Sequence, residues 1–369
     1  MKRIIINNSI VLFIIAFIFA ALIPTKAEAS TGVKVSYPAS KSYLRVKENN
    51  QIKAVITDSP DQNAYLKYKS SNSQIVSVSK TGVLKGKKPG VAKVAIIATE
   101  DVGGKTKTIT KNIQIRVTKY RHISHRGLQS KAPPNSEKAY DFAGKANFWG
   151  MEADIRVSKP DNNGDVQIYV CHDTDFFRSC GVKKKISKMT AAEIDELRII
   201  EGVNAEKYNQ KVCTLDAFLD ICKKYNSIPY LDVKEDYSPQ VVRMITDKLA
   251  ERGLLKKARL VGCYDSTMIA VRKYARTAYG KSPSLLLNCG VANQNGRSNL
   301  QQVKYANKEG FEGVSVYKGA MTSKIYSYCK SNGMEVNLWT YNVNEKSKML
   351  KHLKTYKSVY SDMVNAMVE

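Results

Sequence analysis

Two short segments of the sequence carry ionisable residues spaced two apart. Glu152 and Asp154 lie in GMEADIRV, and Asp232 and Lys234 lie in YLDVK. On a β-strand, residues two apart point to the same face, so the members of each pair would face the same way. Three converging carboxylates repel one another, and a hard divalent cation such as Mg²⁺ or Ca²⁺ relieves that repulsion. The spacing therefore predicts a metal site formed by Glu152, Asp154 and Asp232.

Two of the four histidines lie at the ends of predicted strands. His125 ends HISH, and His172 ends QIYVCH. Beside a metal, one imidazole can act as base and the other as acid, since the unperturbed group titrates near about pH 6.5. Arg126 and Lys234 would neutralise an anion held there. This set suits displacement at a phosphodiester, whose non-bridging oxygens carry the developing charge.

The segments that must position these residues follow Tyr120. Short apolar strands alternate with amphipathic helical stretches, as in IPYLDVK followed by PQVVRMITDKLAERG, and about eight such units fit residues 120–369. This alternation predicts a closed (β/α)8 barrel with its reactive groups at the C-terminal ends of the strands. An open doubly wound sheet is the alternative, but no glycine-rich phosphate turn follows the first strand.

Residues 30–119 have a different pattern, with short segments rich in Val, Ile, Tyr and Thr between turn clusters such as DSPDQN and KKPG. This pattern predicts an antiparallel β-sandwich. The stretch SSNSQIVSVSKTGVLKGKKPGVAKVAI resembles bacterial immunoglobulin-like modules, which implies a spacer or adhesion role. The segment has no histidine and holds 17 Lys/Arg against 5 Asp/Glu. We expect it to carry no catalytic group.

The first 29 residues resemble a cleavable secretory signal. Lys2 and Arg3 precede an apolar run over residues 10–23, and AEA precedes Ser30. A membrane anchor is the alternative, but the run is shorter than the roughly 18 residues that span a bilayer. We therefore expect a secreted or surface-associated protein. Secretion permits disulfides, yet seven cysteines cannot all pair within one chain.

The chain has a net charge of +26, which predicts affinity for polyanions. We expect the basic N-terminal domain to bind an anionic cell-wall polymer or membrane surface, and we expect no nucleic acid. A solvated lysine surface that only maintains solubility is the alternative.

The order of motifs in residues 120–369 resembles that of the glycerophosphodiester phosphodiesterases. The shared motifs are HRG, the proline-rich turn, MEADIRV, the HD of VCHD, TAAEIDEL, CTLDAFL, LDVK, VNLWTYN and YSDM. The resemblance implies a (β/α)8 barrel with an insertion beginning near Thr174. The site residues it implies are the acid–base pair His125 and His172, the phosphate ligands Arg126 and Lys234, the metal ligands Glu152, Asp154 and Asp232, and Trp339 against the alcohol.

Two positions depart from that family. Its P-E-N-T turn reads PPNS at residues 133–136, without the acid, and its third metal carboxylate, usually glutamate, is Asp232. An aspartate there is similar to the sphingomyelinase D type phospholipases, in which a disulfide lies near the second histidine; Cys171 and Cys180 flank the corresponding loop. That phospholipase activity is one alternative, and a non-catalytic adhesin that binds glycerophosphate polymers is another.

Four further residues have a predicted place. Trp339 and Tyr341 share one strand face, where they form either barrel core or a wall against the substrate, and we favour the wall. His122 is predicted to be structural. His352 lies on a polar helix face and is predicted to be exposed to solvent.

Overall fold

A computed structural model of the chain describes residues 32–36, 43–47, 49–57, 59, 63–118, 121–146, 148–291, 295–355 and 358–361. The predicted secretory signal lies outside these residues. Within them, no helix combines the length and the apolar character needed to span a membrane.

The N-terminal part of the chain is built from β-strands. These are Gly32–Ser36 (β1), Tyr43–Arg45 (β2), Asn49–Gln51 (β3), Lys53–Thr57 (β4), Tyr65–Ser70 (β5), Val76–Val78 (β6), Val83–Gly86 (β7), Gly90–Val102 (β8) and Lys105–Thr118 (β9). They form sheets in the orders β2-β9-β8-β5, β3-β7-β6 and β1-β4. Along β8, buried and exposed residues alternate, because successive side chains point to opposite faces of a strand. Leu44, Val76, Leu84 and Ile96 belong to the core they enclose.

The second unit contains the remaining strands. These are Arg121–Ser124 (β10), Gly150–Val157 (β11), Ile168–Val170 (β12), Asp175–Phe176 (β13), Val182–Lys185 (β14), Ile228–Val233 (β15), Arg259–Gly262 (β16), Ser284–Cys289 (β17), Gly313–Tyr317 (β18), Glu335–Tyr341 (β19) and Ser358–Ser361 (β20). Parallel pairings run β10-β11-β15-β16-β17-β18-β19-β20, and β20 pairs with β10 again. The sheet is thus a closed parallel barrel, as the alternation of strands and helices predicted.

Helices connect the barrel strands. The helices are Glu137–Lys145 (α1), Phe177–Cys180 (α2), Ala191–Asp195 (α3), Ala205–Tyr208 (α4), Leu215–Tyr225 (α5), Pro239–Glu251 (α6), Asp265–Tyr279 (α7), Asn299–Lys308 (α8), Ser323–Ser331 (α9) and Lys346–Thr355 (α10). Ser136, Thr214 and Ser238 each accept a hydrogen bond from an amide in the first turn of the helix that follows. Such caps are each worth about 1 kcal/mol, and they define where the chain turns from strand to helix.

The barrel buries two apolar layers. One lies between strands and helices and includes Met151, Leu231, Leu260 and Val316. The other fills the inside of the ring, with Ile123, Trp149, Ile228, Tyr230, Val261 and Leu286 packed together and Trp339 against them. The interior is therefore a packed core, which leaves its C-terminal end as the place for a site.

An insertion follows β11, as the family resemblance implied, but it begins before Thr174, because it already includes β12. Strand β12 pairs antiparallel with β11 outside the ring, and β13 and β14 form a short antiparallel pair. The insertion has its own small core, which includes Tyr169, Phe176, Ile186 and Ile194. The TAAEIDEL motif forms α3, which begins with a capping box between Thr190 and Glu193.

One buried arginine joins the N-terminal unit to the base of the barrel. Arg116 on β9 exposes only 2% of its surface. Its guanidinium donates to the carbonyl oxygens of Phe148 at 2.7 Å and of Tyr225 at 2.5 Å. Phe148 lies just before β11 and Tyr225 ends α5, so both acceptors lie at the end of the barrel opposite the predicted site.

Candidate active site

The three predicted metal carboxylates meet at the C-terminal end of the barrel, which we call the mouth. Glu152 and Asp154 lie on β11, and Asp154 is the register partner of Asp232 on β15. One carboxylate oxygen of each residue lies within 4.8 Å of the other two. Glu152 and Asp154 each expose 1% of their surface. The two-residue spacing placed these groups on the inner face of adjacent strands.

Two cations hold this acidic cluster. The Lys234 Nζ lies 2.9 Å from Asp154 Oδ1 and 2.7 Å from Asp232 Oδ2. The Arg126 Nε lies 3.1 Å from Asp154 Oδ2. Arg126 has a left-handed backbone, with φ of 56°, and its amide donates to Glu152 Oε2 at 3.0 Å. A non-glycine residue in that region is uncommon and occurs where surrounding contacts hold it.

The charges at the mouth are unevenly compensated. Burial raises the pKa of Glu152, and the neighbouring Asp154 and Asp232 raise it further. Burial alone would raise the pKa of Asp154 as well, but Lys234 and Arg126 hold it below its ordinary value. Burial would lower the pKa of Lys234, yet Asp154 and Asp232 raise it. Asp154 is therefore ionised and forms ion pairs with Arg126 and Lys234. Among the described residues, no cationic side chain forms such a pair with Glu152.

The donor set fits a hard divalent cation. The three carboxylates supply oxygen ligands only, which is what Mg²⁺ and Ca²⁺ bind. Glu152 Oε1 is buried and has no hydrogen-bond partner within the described part of the chain. A buried carboxylate oxygen without a partner is costly, and a cation placed there would remove that cost. Glu152, Asp154 and Asp232 thus form a candidate metal centre.

His125 follows β10 directly and lines the mouth. The Gln129 side-chain amide lies 3.3 Å from His125 Nδ1 and donates to the His125 carbonyl at 2.8 Å. Because an amide nitrogen donates, this contact engages Nδ1 of the neutral ring as the acceptor and leaves Nε2 as the nitrogen for proton transfer.

His172 lies at the mouth although its strand is not part of the ring. Strand β12 approaches from outside, and the Arg156 guanidinium donates twice to the His172 carbonyl, at 3.0 and 2.8 Å. The His172 Nδ1 lies 2.7 Å from Asp173 Oδ1, and Arg178 Nε lies 3.1 Å from Asp173 Oδ2. Burial lowers the pKa of His172, against the influence of Asp154. The ring is thus neutral at pH 7, with Nε2 as its proton acceptor.

The proline-rich turn contributes a residue to which the sequence assigned no role. Asn135, with φ of 56°, donates its side-chain amide to Asp154 Oδ2 at 2.9 Å. Its backbone amide donates to the Arg126 carbonyl at 3.0 Å, and its Oδ1 accepts from the Tyr140 hydroxyl at 2.9 Å. The turn therefore orients both Asp154 and Arg126. Pro134, in the position of the missing acid, lines a small cavity beside it.

A cleft of about 570 Å³ opens at the mouth. The residues that line it are His125, Arg126, Glu152, His172, Asp232, Lys234, Cys263, Asn288, Val291, Trp339 and Thr340. All but one of the eight residues predicted from the sequence are in this lining. The exception is Asp154, which lies beneath the cleft and contacts Lys234 and Arg126.

The sequence predicted that Trp339 and Tyr341 share one strand face, but the structure places them on different faces. The pairing of β19 with β20 shifts between Leu338 and Tyr341. Trp339 is half-buried in the cleft wall, with its ring centroid 5.4 Å from that of Tyr317. Tyr341 is fully buried in the outer apolar layer, and its hydroxyl contacts His352 Nδ1. His352 is consequently half-buried, and the prediction of a solvent-exposed side chain was wrong.

The remaining candidates lie away from the cleft chemistry. His122 is 1% exposed, and burial lowers its pKa to about 3, so the ring is neutral.

All seven cysteines are free thiols. Burial raises the pKa of Cys171 to about 12, which makes it a poor nucleophile. Cys171 and Cys180 therefore do not provide the disulfide that the phospholipase alternative would have.

The closed parallel barrel, with an acidic cluster and two histidines at its mouth, is the architecture of a barrel hydrolase. A sequence profile of the glycerophosphoryl diester phosphodiesterase family matches residues 125–364. The match covers more than half of the chain, which therefore belongs to that family.

Two curated relatives match shorter stretches. One is MG293 of Mycoplasma genitalium (strain ATCC 33530), an uncharacterized protein that is 27% identical over 138 residues, or 37% of this chain and 54% of its own. The other is YhdW of Bacillus subtilis (strain 168), provisionally named a glycerophosphodiester phosphodiesterase, which is 30% identical over 104 residues, or 28% of this chain and 40% of its own. The matched stretches span about half, or less, of these relatives.

Solved structures of similar fold cover the barrel. A phosphodiesterase of Oleispira antarctica, in complex with the product sn-glycerol-3-phosphate, has a TM-score of 0.54 and 18% identity, covering 66% of this chain and 93% of its own. A glycerophosphodiester phosphodiesterase of Parabacteroides distasonis has a TM-score of 0.51 and 20% identity, with the same coverage. At such identity these likenesses show the fold.

Proposed function

We propose that this protein is a secreted, divalent-metal-dependent phosphodiesterase that hydrolyses glycerophosphodiesters to sn-glycerol 3-phosphate and an alcohol. The observation that carries the proposal is the convergence of three carboxylates, two cations and two histidines at the mouth of the barrel, in or directly beneath one cleft. Membership of the family and the product held by the Oleispira antarctica neighbour support this substrate class.

The residues divide into charge stabilisation and proton transfer. A divalent cation bound by Glu152, Asp154 and Asp232 would stabilise negative charge that develops on the phosphoryl oxygens. Arg126 and Lys234 lie beside those carboxylates and would pair with the same phosphate group. They would hold the phosphorus in place and favour the more highly charged transition state.

The two histidines would act in sequence. His172 is neutral and held at Nδ1 by Asp173, so Nε2 accepts the proton of the attacking hydroxyl. His125, once protonated to imidazolium, would donate the Nε2 proton to the departing alkoxide and return to the neutral ring, whose Nδ1 the Gln129 amide contacts. The attacking hydroxyl is either water or the neighbouring glycerol hydroxyl, which would give a cyclic phosphate that water then opens. Trp339 would contact the alcohol part of the substrate from the cleft wall.

One assay separates this function from its alternatives. Purified protein is incubated with glycerophosphocholine or with lysophosphatidylcholine, with Mg²⁺ or Ca²⁺ and with EDTA, and free choline is measured. We expect choline from glycerophosphocholine, and none in EDTA. Release of choline only from lysophosphatidylcholine would contradict the proposal and indicate a phospholipase. Release from neither substrate would contradict activity on these diesters and would favour the adhesin or a different substrate.

We further propose that the basic N-terminal unit keeps the secreted enzyme at an anionic wall polymer. Lys85, Lys87, Lys88 and Lys93 are all exposed on neighbouring strands and turns, which supports an electrostatic surface. Binding to purified cell walls should weaken steeply with salt, since the Debye length falls from about 10 Å at 0.1 M to about 3 Å at 1 M. If sedimentation of the full chain with cell walls does not change with salt, these lysines serve only to keep the protein soluble.

A further inference from the structure

The barrel unit exposes its large apolar side chains unevenly. Within the described part of that unit they are Phe177 at 52%, Ile200 at 63%, Val203 at 46%, Tyr317 at 41% and Tyr279 at 39% exposed. Phe177, Ile200 and Val203 belong to the insertion beside His172, and Tyr317 ends β18 at the mouth. Tyr279 ends α7 and so lies toward the base. The exposed apolar surface is thus concentrated around the mouth.

Three of these residues belong to the insertion, and we call them the rim patch: Phe177, Ile200 and Val203. The Ile200 amide donates at 2.8 Å to the carbonyl of Ser179, which is two residues after Phe177. A Cβ built on Gly181, which ends the Phe177 helix, would lie 3.5 Å from Ile200 Cδ1. The two apolar side chains therefore flank the same short turn.

The rim patch is fixed to the catalytic loops. Arg178, next to Phe177, lies 3.1 Å from Asp173 and 3.4 Å from Glu201. Asp173 in turn contacts His172 Nδ1. On the other side, a Cβ on Gly202 would lie 2.7 Å from Pro134 Cδ, so the chain before Val203 packs on the proline-rich turn. The patch is therefore connected to the site through Arg178 and Asp173 on one side and through the proline-rich turn on the other.

Basic side chains surround the rim patch. Residues 177–188, FRSCGVKKKISK, hold five bases and no acid. The Lys183 Nζ lies 4.6 Å from the centre of the Phe177 ring. Lys184 pairs with Glu193, but Lys183, Lys185 and Lys188 are exposed and make no ion pair within the described ranges.

We propose that the rim patch and its lysines bind the surface of an anionic lipid bilayer, with the barrel mouth turned toward the membrane. Lysine side chains are attracted to anionic headgroups, and exposed Phe, Ile and Val gain by entering the boundary between headgroups and acyl chains. A polar wall polymer would satisfy the lysines and leave the apolar side chains in water, so the combination favours lipid. This binding uses no catalytic group, and its test is independent of the proposed reaction.

The N-terminal unit offers a matched control. Tyr65 is 44% exposed, with Lys67 Nζ 4.9 Å from its ring centre, and Val55 is 58% exposed. The pair Val55→Ser and Tyr65→Ser thus removes a similar exposed apolar surface with a similar aromatic–lysine contact. The triple change of Lys85, Lys87 and Lys88 to Gln likewise matches that of Lys183, Lys185 and Lys188.

The test is co-sedimentation of the full chain with phosphatidylcholine vesicles and with equimolar phosphatidylcholine–phosphatidylglycerol vesicles. We expect preference for the anionic vesicles, a loss of about tenfold or more in Phe177→Ser/Ile200→Ser, and little change in Val55→Ser/Tyr65→Ser. The change of the three insertion lysines to Gln should remove the preference for phosphatidylglycerol, and the N-terminal triple variant should keep it.

Equal binding by the rim variant and its control would overturn the proposal. So would anionic binding that is lost only in the N-terminal lysine variant, or binding to walls without binding to vesicles. Turnover of a soluble diester by Phe177→Ser/Ile200→Ser should stay at the level of the unaltered protein, which checks that the insertion is still folded.

Discussion

The two ends of the barrel both bury charged side chains, but they balance them differently. At the base, Arg259 Nη2 lies 3.4 Å from Glu335 Oε2, and the Tyr230 hydroxyl donates to Glu335 Oε1 at 3.2 Å. The Arg121 guanidinium lies 5.0 Å from the centre of the Trp149 ring. Each of these two arginines therefore has a favourable partner within the protein, which is Glu335 for Arg259 and the Trp149 ring for Arg121.

At the mouth, three carboxylates meet two cations. Lys234 and Arg126 both pair with Asp154, while Glu152 keeps a buried oxygen without a hydrogen-bond partner in the described chain. A buried charge cluster that the protein leaves incompletely compensated costs stability. The base is therefore arranged for stability and the mouth for binding a ligand, as in other barrels of this type.

The largest effect should come from the mouth histidines. His125→Ala and His172→Ala should each lower turnover by about 10²- to 10⁴-fold, because general acid–base catalysis contributes that much. Neither side chain supports the core, so the free energy of unfolding should change little. The measurement is turnover of a diester with a poor leaving group, together with urea unfolding. Near-normal turnover in either variant would remove that histidine from the mechanism.

A substitution at the base should lower the free energy of unfolding and leave turnover unchanged. Glu335→Gln leaves Arg259 buried without its counter-charge, which should cost about 3–5 kcal/mol of unfolding free energy. Turnover at a temperature where the variant is folded should equal that of the unaltered protein. Urea unfolding and turnover are measured on the same preparation. A loss of turnover without a loss of stability would mean that the two ends are not separate in function.

The sequence predicted the position of those site residues that depend on the two-residue alternation of side chains along a β-strand. The spacing of Glu152 and Asp154, and of Asp232 and Lys234, placed all four on inner faces, because a strand alternates its side chains regularly. Asn135 was missed because its contact with Asp154 depends on a left-handed turn that the sequence does not specify.

Two further differences have local structural causes. His172 was assigned to a strand tip, and it does lie at the mouth, but its strand is antiparallel and outside the ring. Tyr341 was paired with Trp339, and a register shift in β19 separates them. Asp173 and Gln129 were not predicted, since they act through loop contacts with the two histidines. Irregular backbone therefore accounts for most of what the sequence left open.

Binding of a cation should stabilise the folded protein through the carboxylates of the mouth and should not depend on the base. At a concentration of Mg²⁺ or Ca²⁺ a hundredfold above its dissociation constant, unfolding free energy should rise by about 2.7 kcal/mol. Asp232→Asn removes one of the three carboxylates and should raise the concentration needed, while Glu335→Gln at the base should leave it unchanged. Thermal unfolding without substrate is the measurement. An equal shift in Asp232→Asn and in the unaltered protein would place the cation elsewhere.

The smallest effect concerns a buried histidine that burial keeps neutral. His122 lies on β10 between the two ends, and burial lowers its pKa to about 3. The unfolded chain binds a proton on this ring below about pH 6.5, whereas the folded chain does not until about pH 3, so stability is lost as pH falls between these values. At pH 5.5 the loss from this residue should be about 1.2 kcal/mol relative to pH 7. His122→Asn cannot titrate, so its unfolding free energy should fall less steeply from pH 7 to 5.5 than that of the unaltered protein, with the other histidines contributing equally to both. Parallel pH profiles would show that His122 takes up its proton in the folded state as readily as in the unfolded chain.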